Sequence, residues 1–220
     1  MGQVMTIETS EAGRRFADAL RAERVVPVLT IERWTDAVPL ARALVAGGLT
    51  HLEITLRTAA ALEAIRAVAG EVSVATVGAG TVLTPRQAES ALAAGAEFLV
   101  SPGATGELFD AAGGWPAVWL PGVATASEGM RAMERGLSFV KFFPAEAAGG
   151  VGMLKALAAP LAGLKLCPTG GVSLHNAAGY LACSNVVCVG GSWVAPTKMV
   201  AEGAWAEISQ LAAEARQIAV

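Results

Sequence analysis

Residues that bind metals or nucleic acids are scarce in this sequence. It has two histidines and three cysteines among 220 residues, and Cys167, Cys183 and Cys188 show no CxxC spacing. A zinc site built from Cys and His is therefore not expected, and we predict that the protein uses no metal ion and no other cofactor. Lysines and arginines total 16 against 19 aspartates and glutamates, and they form no cluster. This excludes the basic face of a typical nucleic-acid-binding protein.

The sequence also lacks segments that are typical of membrane or secreted proteins. The uncharged stretch from Asn176 to Thr197 contains asparagine, a glycine pair and proline, which favours a helix, a strand and a loop over a membrane span. Four charged residues interrupt the first 15 positions, so a signal peptide is not expected. Free thiols are usual in reducing compartments, and together these features predict a cytoplasmic protein.

Apolar residues make up 54% of the chain, and they follow a regular alternation. Short β-like runs recur about every 20–25 residues, and the segments between them are alanine-rich and compatible with helices. The eight runs are Val25–Thr30, His51–Leu56, Val72–Val77, Glu97–Ser101, Ala117–Leu120, Phe139–Phe143, Leu164–Cys167 and Val186–Val189. Such alternation predicts an α/β protein with a parallel sheet. Eight units in about 200 residues predict one (β/α)8 TIM-barrel domain over residues 1–220.

An extra helix, from about Glu8 to Glu23, is predicted before the first strand. The competing fold is a doubly wound open sheet, but eight strands and the lack of an early GxGxxG motif favour the barrel. Two helix starts support the assignment. Thr84 is followed by proline and by Gln87 at the third helical position, and Thr125 with Glu128 has the spacing of a capping box.

Lys141 lies in the apolar run Leu137–Pro144, which is typical of a buried strand closed by proline. An unpaired buried lysine tends to lose its proton, and a neutral amine in a pocket is a nucleophile for ketones. The competing interpretation is a lysine whose stem packs in the core while its ammonium reaches the surface. Lys165 is the rival lysine, but its expected place is near the start of its strand.

The predicted second strand carries polar residues toward its end, where barrels of this type have their active sites. Because side chains alternate along a strand, Glu53, Thr55 and Arg57 share one face. Glu53 could simply pair with Arg57. A carboxylate, an arginine and a lysine in one barrel mouth also form an acid/base and anion-binding set. His51 is expected to lie deeper, and we predict that neither His51 nor His175 is catalytic.

Two glycine pairs, Gly170-Gly171 and Gly190-Gly191, end the predicted seventh and eighth strands, and Ser192 follows the second pair. Barrels often bind phosphate at this position through backbone N–H groups. Either pair by itself could simply form a tight turn between a strand and a helix. Both pairs together favour a phosphate site.

The motifs of this chain, taken in order, resemble those of the KDPG/KHG aldolase family (2-keto-3-deoxy-6-phosphogluconate aldolase and 4-hydroxy-2-oxoglutarate aldolase). They are VPV at 26–28, ALVAGG at 43–48, LEITLRT at 52–58, VGAGTVLTP at 77–85, SPG at 101–103, LPGVATASE at 120–128, VKFFPAE at 140–146, CPTGGVS at 167–173 and VGGSWV at 189–194. They extend from about Val25 to Pro196. The resemblance implies a (β/α)8 barrel, usually a homotrimer, and a class I aldolase that needs no metal.

The resemblance also implies a role for individual residues. Lys141 would form the Schiff base, Glu53 would be the general acid/base, and Arg57 would bind the substrate carboxylate. The further substrate contacts that it implies are Thr81, Pro102 and Phe143, with Gly170, Gly171 and Ser192 on the phosphate.

Two other functions remain open at this point. A phosphate-binding barrel isomerase or epimerase would use a carboxylate pair, but no acidic residue at another strand end accompanies Glu53. A trimeric scaffold without activity would not require Glu53, Arg57 and Lys141. Within the aldolases, Thr169 and the segment after Lys141 resemble the branch that acts on the gluconate rather than the galactonate epimer. We therefore expect 2-keto-3-deoxy-6-phosphogluconate (KDPG) to be the preferred substrate, and 4-hydroxy-2-oxoglutarate (KHG) to be a slower one.

Overall fold

The computed structural model describes residues 11–219, and it has the α/β class and the parallel strands that the sequence predicts. Strands and helices alternate along most of this part of the chain. The strands are β1 (Val25–Leu29), β2 (His51–Thr55), β3 (Thr76–Gly80), β4 (Phe98–Val100), β5 (Val118–Leu120), β6 (Gly122–Val123), β7 (Phe139–Phe142), β8 (Lys165–Pro168) and β9 (Val189–Gly191).

Ten α-helices and one short 3₁₀ helix (Trp34–Asp36) are found within residues 11–219. The α-helices are α1 (Glu11–Glu23), α2 (Ala37–Ala46), α3 (Ala61–Glu71), α4 (Pro85–Ala93), α5 (Gly106–Ala112), α6 (Ala126–Glu134), α7 (Gly150–Ala158), α8 (Ala177–Leu181), α9 (Thr197–Glu202) and α10 (Trp205–Arg216). The extra N-terminal helix is confirmed as α1, although positions 8–10 of the predicted helix lie outside the described residues. None of these helices combines the length and the apolar character that a membrane span requires.

The strands form two parallel sheets rather than one continuous set of eight. The larger has the order β5-β4-β3-β2-β1-β9, and the smaller has the order β6-β7-β8. Pro121 separates β5 from β6, and its carbonyl accepts a hydrogen bond from the Lys141 amide at 2.9 Å. Two single β-bridges connect the β8 side of the smaller sheet to the β9 side of the larger sheet. Leu166 pairs with Val186, and Thr169 pairs with Gly190.

Two predicted strands are displaced in the structure toward their glycine-rich ends. The third was expected at Val72–Val77 but β3 is Thr76–Gly80, and the last was expected at Val186–Val189 but β9 is Val189–Gly191. Glycine is disfavoured in strands when its environment is unknown. Here neighbouring side chains occupy the space of the missing Cβ atoms. A Cβ on Gly80 would lie 2.1 Å from Glu53 Oε1, and one on Gly190 would lie 2.3 Å from Thr169 Oγ1.

Buried apolar side chains form two clusters. The larger one joins strands to the surrounding helices. The smaller one contains Leu20 of α1 together with strand residues such as Phe98, Leu120 and Phe139, and Phe16 of α1 packs against it. At the start of β2, Glu23 at the end of α1 accepts a hydrogen bond from the Thr50 amide at 3.0 Å. α1 is therefore fixed at the end of the sheet where the strands begin.

Both predicted helix starts are confirmed. Thr84 Oγ1 accepts a hydrogen bond from the Gln87 amide at 3.2 Å. Thr125 Oγ1 accepts from the Glu128 amide, and the Glu128 carboxylate accepts from the Thr125 amide at 2.9 Å. These bonds satisfy N–H groups that have no partner within the helix, and they fix the start of the helix that follows β3 and of the one that follows β6.

Candidate active site

Lys141 and Glu53 meet between the two sheets, on strands β7 and β2. Lys141 Nζ lies 3.4 Å from Glu53 Oε1. Lys141 is 4% exposed and Glu53 is 3% exposed. The alternative that the lysine head reaches the surface is therefore excluded, and Glu53 contacts Lys141 rather than pairing with Arg57. A buried pair of this kind places a proton acceptor within reach of the amine.

Glu53 and Lys141 are held by tightly packed surroundings. Gly80 on the neighbouring strand β3 leaves the space that the Glu53 carboxylate occupies. Lys141 Nζ lies 5.2 Å from the centre of the Phe143 ring, within the range of a cation–π contact when the amine is protonated. Lys141 and Phe143 are therefore on the same face of the chain, as the alternation along the strand predicts.

Arg57 lies just beyond the end of β2, and its side chain is exposed. Its Nε donates a hydrogen bond to Thr81 Oγ1 at 3.1 Å. No other hydrogen bond of this guanidinium is found to residues 11–219, so its terminal N–H groups can bind an anion. Thr81 has a φ of +59°, which is unfavourable for a β-branched residue and is more frequent at functional sites.

The two glycine pairs lie side by side, because Thr169 bridges to Gly190. Gly170 and Gly171 have φ angles of +96° and +78°. Their loop follows β8, and Gly191 ends β9 directly before the exposed Ser192. For Gly171 and Ser192, no hydrogen bond from the backbone N–H is found within the described part of the chain. These amides can therefore donate to a bound anion.

Thr169 is buried, and its hydroxyl is already engaged. Thr169 Oγ1 donates to the Cys167 carbonyl at 3.3 Å, and Thr169 is 6% exposed. A hydroxyl oxygen that donates once can still accept a hydrogen bond. Toward a substrate, Thr169 therefore acts more readily as an acceptor than as a donor. Pro102, the remaining predicted contact, lies half-buried after β4.

The other histidines and lysines lie away from the Lys141–Glu53 pair. His51 Nδ1 contacts Glu23 Oε1 at 2.7 Å at the start of β2, and His175 is exposed just before α8. Lys165 begins β8, and its Nζ donates to the Ser184 carbonyl at 3.3 Å. Among residues 11–219, no three His, Cys, Asp or Glu side chains are grouped as metal ligands would be.

A cluster that the sequence motifs did not predict lies beside the loop of Gly170 and Gly171 after β8 (the glycine loop). Glu146 Oε1 accepts hydrogen bonds from the Tyr180 hydroxyl and from Asn176 Nδ2, the latter at 3.3 Å. Burial raises the pKa of Tyr180, and the hydrogen bond to Glu146 raises it further, so the hydroxyl remains a donor at neutral pH. The sequence offered one signal for this cluster, because Tyr180 is the single tyrosine of the chain and stands in a short alanine-rich segment.

Comparison with known proteins identifies the family. Residues 16–211 match the family described as KDPG and KHG aldolase. This chain belongs to that family. The resemblance noted in the sequence motifs is confirmed, and the match extends over nearly all of the described residues.

Named relatives and solved structures agree with this assignment. A 2-dehydro-3-deoxy-phosphogluconate aldolase from Pseudomonas aeruginosa is 51% identical over 201 residues, which cover 91% of each chain. The KDPG aldolase from Legionella pneumophila, with pyruvate captured as a covalent carbinolamine intermediate, matches with a TM-score of 0.87 and 43% identity over 90% of this chain and 96% of that one. The aldolase from Zymomonas mobilis with 3-phosphoglycerate matches with a TM-score of 0.87 and 46% identity over 94% and 97%.

Proposed function

We propose that this chain is a class I aldolase that cleaves KDPG to pyruvate and glyceraldehyde 3-phosphate. KHG would be a slower substrate, giving pyruvate and glyoxylate. The observation that carries the proposal is the contact of 3.4 Å between Lys141 Nζ and Glu53 Oε1 in a buried site. The family membership and the relatives at about half identity support it.

The first stage of the reaction is formation of the Schiff base. Glu53 is the carboxylate within reach of the Lys141 ammonium, so it can accept the proton whose loss leaves a neutral amine. Nζ then bonds to C2 of the substrate, and the ketone oxygen takes one proton from the attacking nitrogen and a second from the Glu53 carboxyl group. The oxygen leaves as water, and Glu53 is a carboxylate again. The resulting iminium draws electrons from the neighbouring carbon atoms.

Cleavage follows from the iminium. The Glu53 carboxylate removes the proton of the C4 hydroxyl, the C3–C4 bond breaks, and its electron pair moves toward the iminium nitrogen. C4 leaves as an aldehyde and an enamine remains on Lys141. Glu53 returns a proton to C3, and water releases pyruvate and restores the amine. A positioned acid/base of this kind contributes about 10²–10⁴-fold to the rate.

The remaining residues bind the two ends of the substrate. Arg57, fixed through Thr81, would hold the C1 carboxylate with its terminal N–H groups, which orients C2 against Lys141. The phosphate would bind the amides of the glycine pairs and the Ser192 hydroxyl. The contacts proposed for the phosphate end are Gly170, Gly171, Gly191 and Ser192. Thr169, Pro102 and Phe143 would line the path between the two ends.

Further features of the protein belong to the same proposal. The two sheets would close into one (β/α)8 barrel. The continuous chain through Pro121 supports this closure, as do two bridges, one from Leu166 of β8 to Val186 before β9 and one from Thr169 after β8 to Gly190 of β9. Residues 1–220 would form a single domain, and the protein would work as a cytoplasmic homotrimer without a metal ion. Light scattering at a monomer or dimer mass would contradict the trimer.

A direct assay tests the proposal. Purified protein is dialysed against EDTA and incubated with KDPG, with its galactonate epimer or with KHG, and the release of pyruvate is measured. We expect the highest kcat/KM for KDPG. An isomerase or epimerase would convert a sugar phosphate without releasing pyruvate, and an inactive scaffold would release none. Activity that requires an added divalent ion would contradict the metal-independent mechanism.

A further inference from the structure

The cluster of Glu146, Asn176 and Tyr180 joins two loops that belong to different parts of the site. Glu146 follows β7, the strand of Lys141, whereas Asn176 and Tyr180 follow the glycine loop after β8. Tyr180 is completely buried, and its hydroxyl donates to the Glu146 carboxylate. Glu146 itself takes no part in the chemistry proposed above.

Asn176 connects this carboxylate to the glycine loop. Its Nδ2 donates to Glu146 Oε1 at 3.3 Å and to the Gly171 carbonyl at 3.0 Å. Its Oδ1 accepts from the Ser173 amide at 2.8 Å. One side chain thus binds the glycine loop at two points and Glu146 at a third.

The backbone of the two loops is also paired. The Ala145 amide donates to the Thr169 carbonyl at 2.8 Å, and the Glu146 amide donates to the Gly170 carbonyl at 3.1 Å. The Glu146 side chain then covers Gly171, where an added Cβ would lie 2.5 Å from Glu146 Cγ. The positive φ of Gly171 and the lack of a side chain there are both required by this packing.

We propose that Glu146, Asn176 and Tyr180 are positioning residues that fix the Gly170-Gly171 loop for the phosphate end of the substrate. The inference rests on the proposed function, because it assigns these three residues to the phosphate half of that site. None of them needs to contact the substrate. Asn176 binds the Gly171 carbonyl, and Glu146, which accepts a hydrogen bond from Tyr180, holds Asn176 in place. These bonds fix the orientation of the peptide groups around Gly171.

The two ends of the site should respond differently to loss of this cluster. Loss of the cluster changes the loop that meets phosphate, while Lys141, Glu53 and Arg57 keep their own contacts. A purely structural role would instead reduce the activity toward all substrates together through loss of folded protein. KHG carries no phosphate, so it serves as the internal reference.

The test compares Glu146→Ala, Glu146→Gln and Tyr180→Phe with the wild type. Glu207→Gln is the matched control, since Glu207 is exposed on α10 and makes no hydrogen bond or ion pair to residues 11–219. For each protein, kcat and KM are measured for KDPG and KHG, the pyruvate adduct is trapped with borohydride, and the Kd of 3-phosphoglycerate is measured by calorimetry.

We expect Glu146→Ala and Tyr180→Phe to raise the KM for KDPG and the Kd of 3-phosphoglycerate by about tenfold, as for loss of a hydrogen bond to a charged group. The KM for KHG and the yield of adduct should stay within about twofold of the wild type. Glu146→Gln keeps an oxygen acceptor and should show a smaller effect than Glu146→Ala.

Equal changes for KDPG and KHG, or unchanged binding of 3-phosphoglycerate in both Glu146→Ala and Tyr180→Phe, would overturn the proposal. A wild-type protein that cleaves neither substrate would refute the proposed function instead. In that case the calorimetric comparison still decides whether the cluster controls binding of a phosphate ester.

Discussion

Glu53 Oε1 lies 3.4 Å from Lys141 Nζ, although 88 positions separate the two residues in the sequence. Both side chains are almost completely buried. Removing one partner of a buried pair leaves the other charge without compensation. Each variant at this pair must therefore be tested for folding as well as for activity.

Lys141 is the predicted site of covalent attachment. Treatment with pyruvate and borohydride should add one pyruvyl group, and peptide mapping should place it on Lys141. Lys141→Met should abolish the adduct and the cleavage, because Lys141 is the lysine that contacts Glu53 in the described part of the chain. Circular dichroism checks that the variant is folded.

Lys165→Met is the matched control for this experiment. Lys165 is also on a strand, but it lies at the start of β8 and its amine donates a hydrogen bond to the Ser184 carbonyl. The control should form the adduct normally. An adduct on Lys165 in the wild type, or none at all, would contradict the assignment.

Glu53→Gln should separate the proton-transfer steps from attachment of the substrate. The amide cannot accept the C4 hydroxyl proton, so kcat should fall by roughly 10²-fold or more. The variant should still form the borohydride-trapped pyruvate adduct, at a reduced rate. Near-normal turnover would show that another group is the base.

Thr169→Val should weaken the discrimination between KDPG and its galactonate epimer. Valine has nearly the same shape as threonine, so the packing of Thr169 against Gly190 should be preserved while the hydroxyl is lost. The ratio of kcat/KM for KDPG to that for the epimer should fall about tenfold or more if the hydroxyl binds the substrate. An unchanged ratio would show that the Thr169 hydroxyl bonds to the Cys167 carbonyl but does not bind the substrate.

Glu23 should make the stability of the protein depend on pH. Burial raises the pKa of Glu23, but hydrogen bonds from His51 and Thr50 outweigh that effect, and the pKa lies below its ordinary value of 4.5. The folded state therefore stabilises the carboxylate form of Glu23 relative to the unfolded state. This stabilisation is fully present above pH 4.5 and is lost as the pH falls through the lower, folded-state pKa.

Glu23→Gln should lower the free energy of unfolding by about 1–3 kcal/mol at pH 7, because its NH₂ group would face N–H and O–H donors. The difference from the wild type should narrow below pH 4.5. Urea unfolding between pH 3 and pH 7, followed by circular dichroism, measures it. Glu89→Gln is the control, because Glu89 is exposed on α4, and it should leave the stability unchanged. If Glu23→Gln and the wild type differed by the same free energy at every pH, the charge of Glu23 would not be the cause.

The sequence by itself determined the features that depend on near neighbours. The spacing of apolar runs predicted the α/β class, and capping residues predicted where α4 and α6 begin. The alternation of side chains predicted that Phe143 lies on the same face as Lys141. The motif order also predicted the family. These signals are local, because a strand has a period of two residues and a cap acts within one turn of helix.

Only the tertiary structure decided which residues meet. Glu53 had a nearby arginine in sequence but contacts a lysine on a distant strand. Glu146 accepts hydrogen bonds from Asn176 and Tyr180, which lie 30 and 34 positions later in the chain. The positions of β3 and β9 were also decided by packing, since Gly80 and Gly190 are in strands where Glu53 and Thr169 fill the adjacent space. Such contacts depend on strand order and register, which bring together side chains that the local pattern cannot pair.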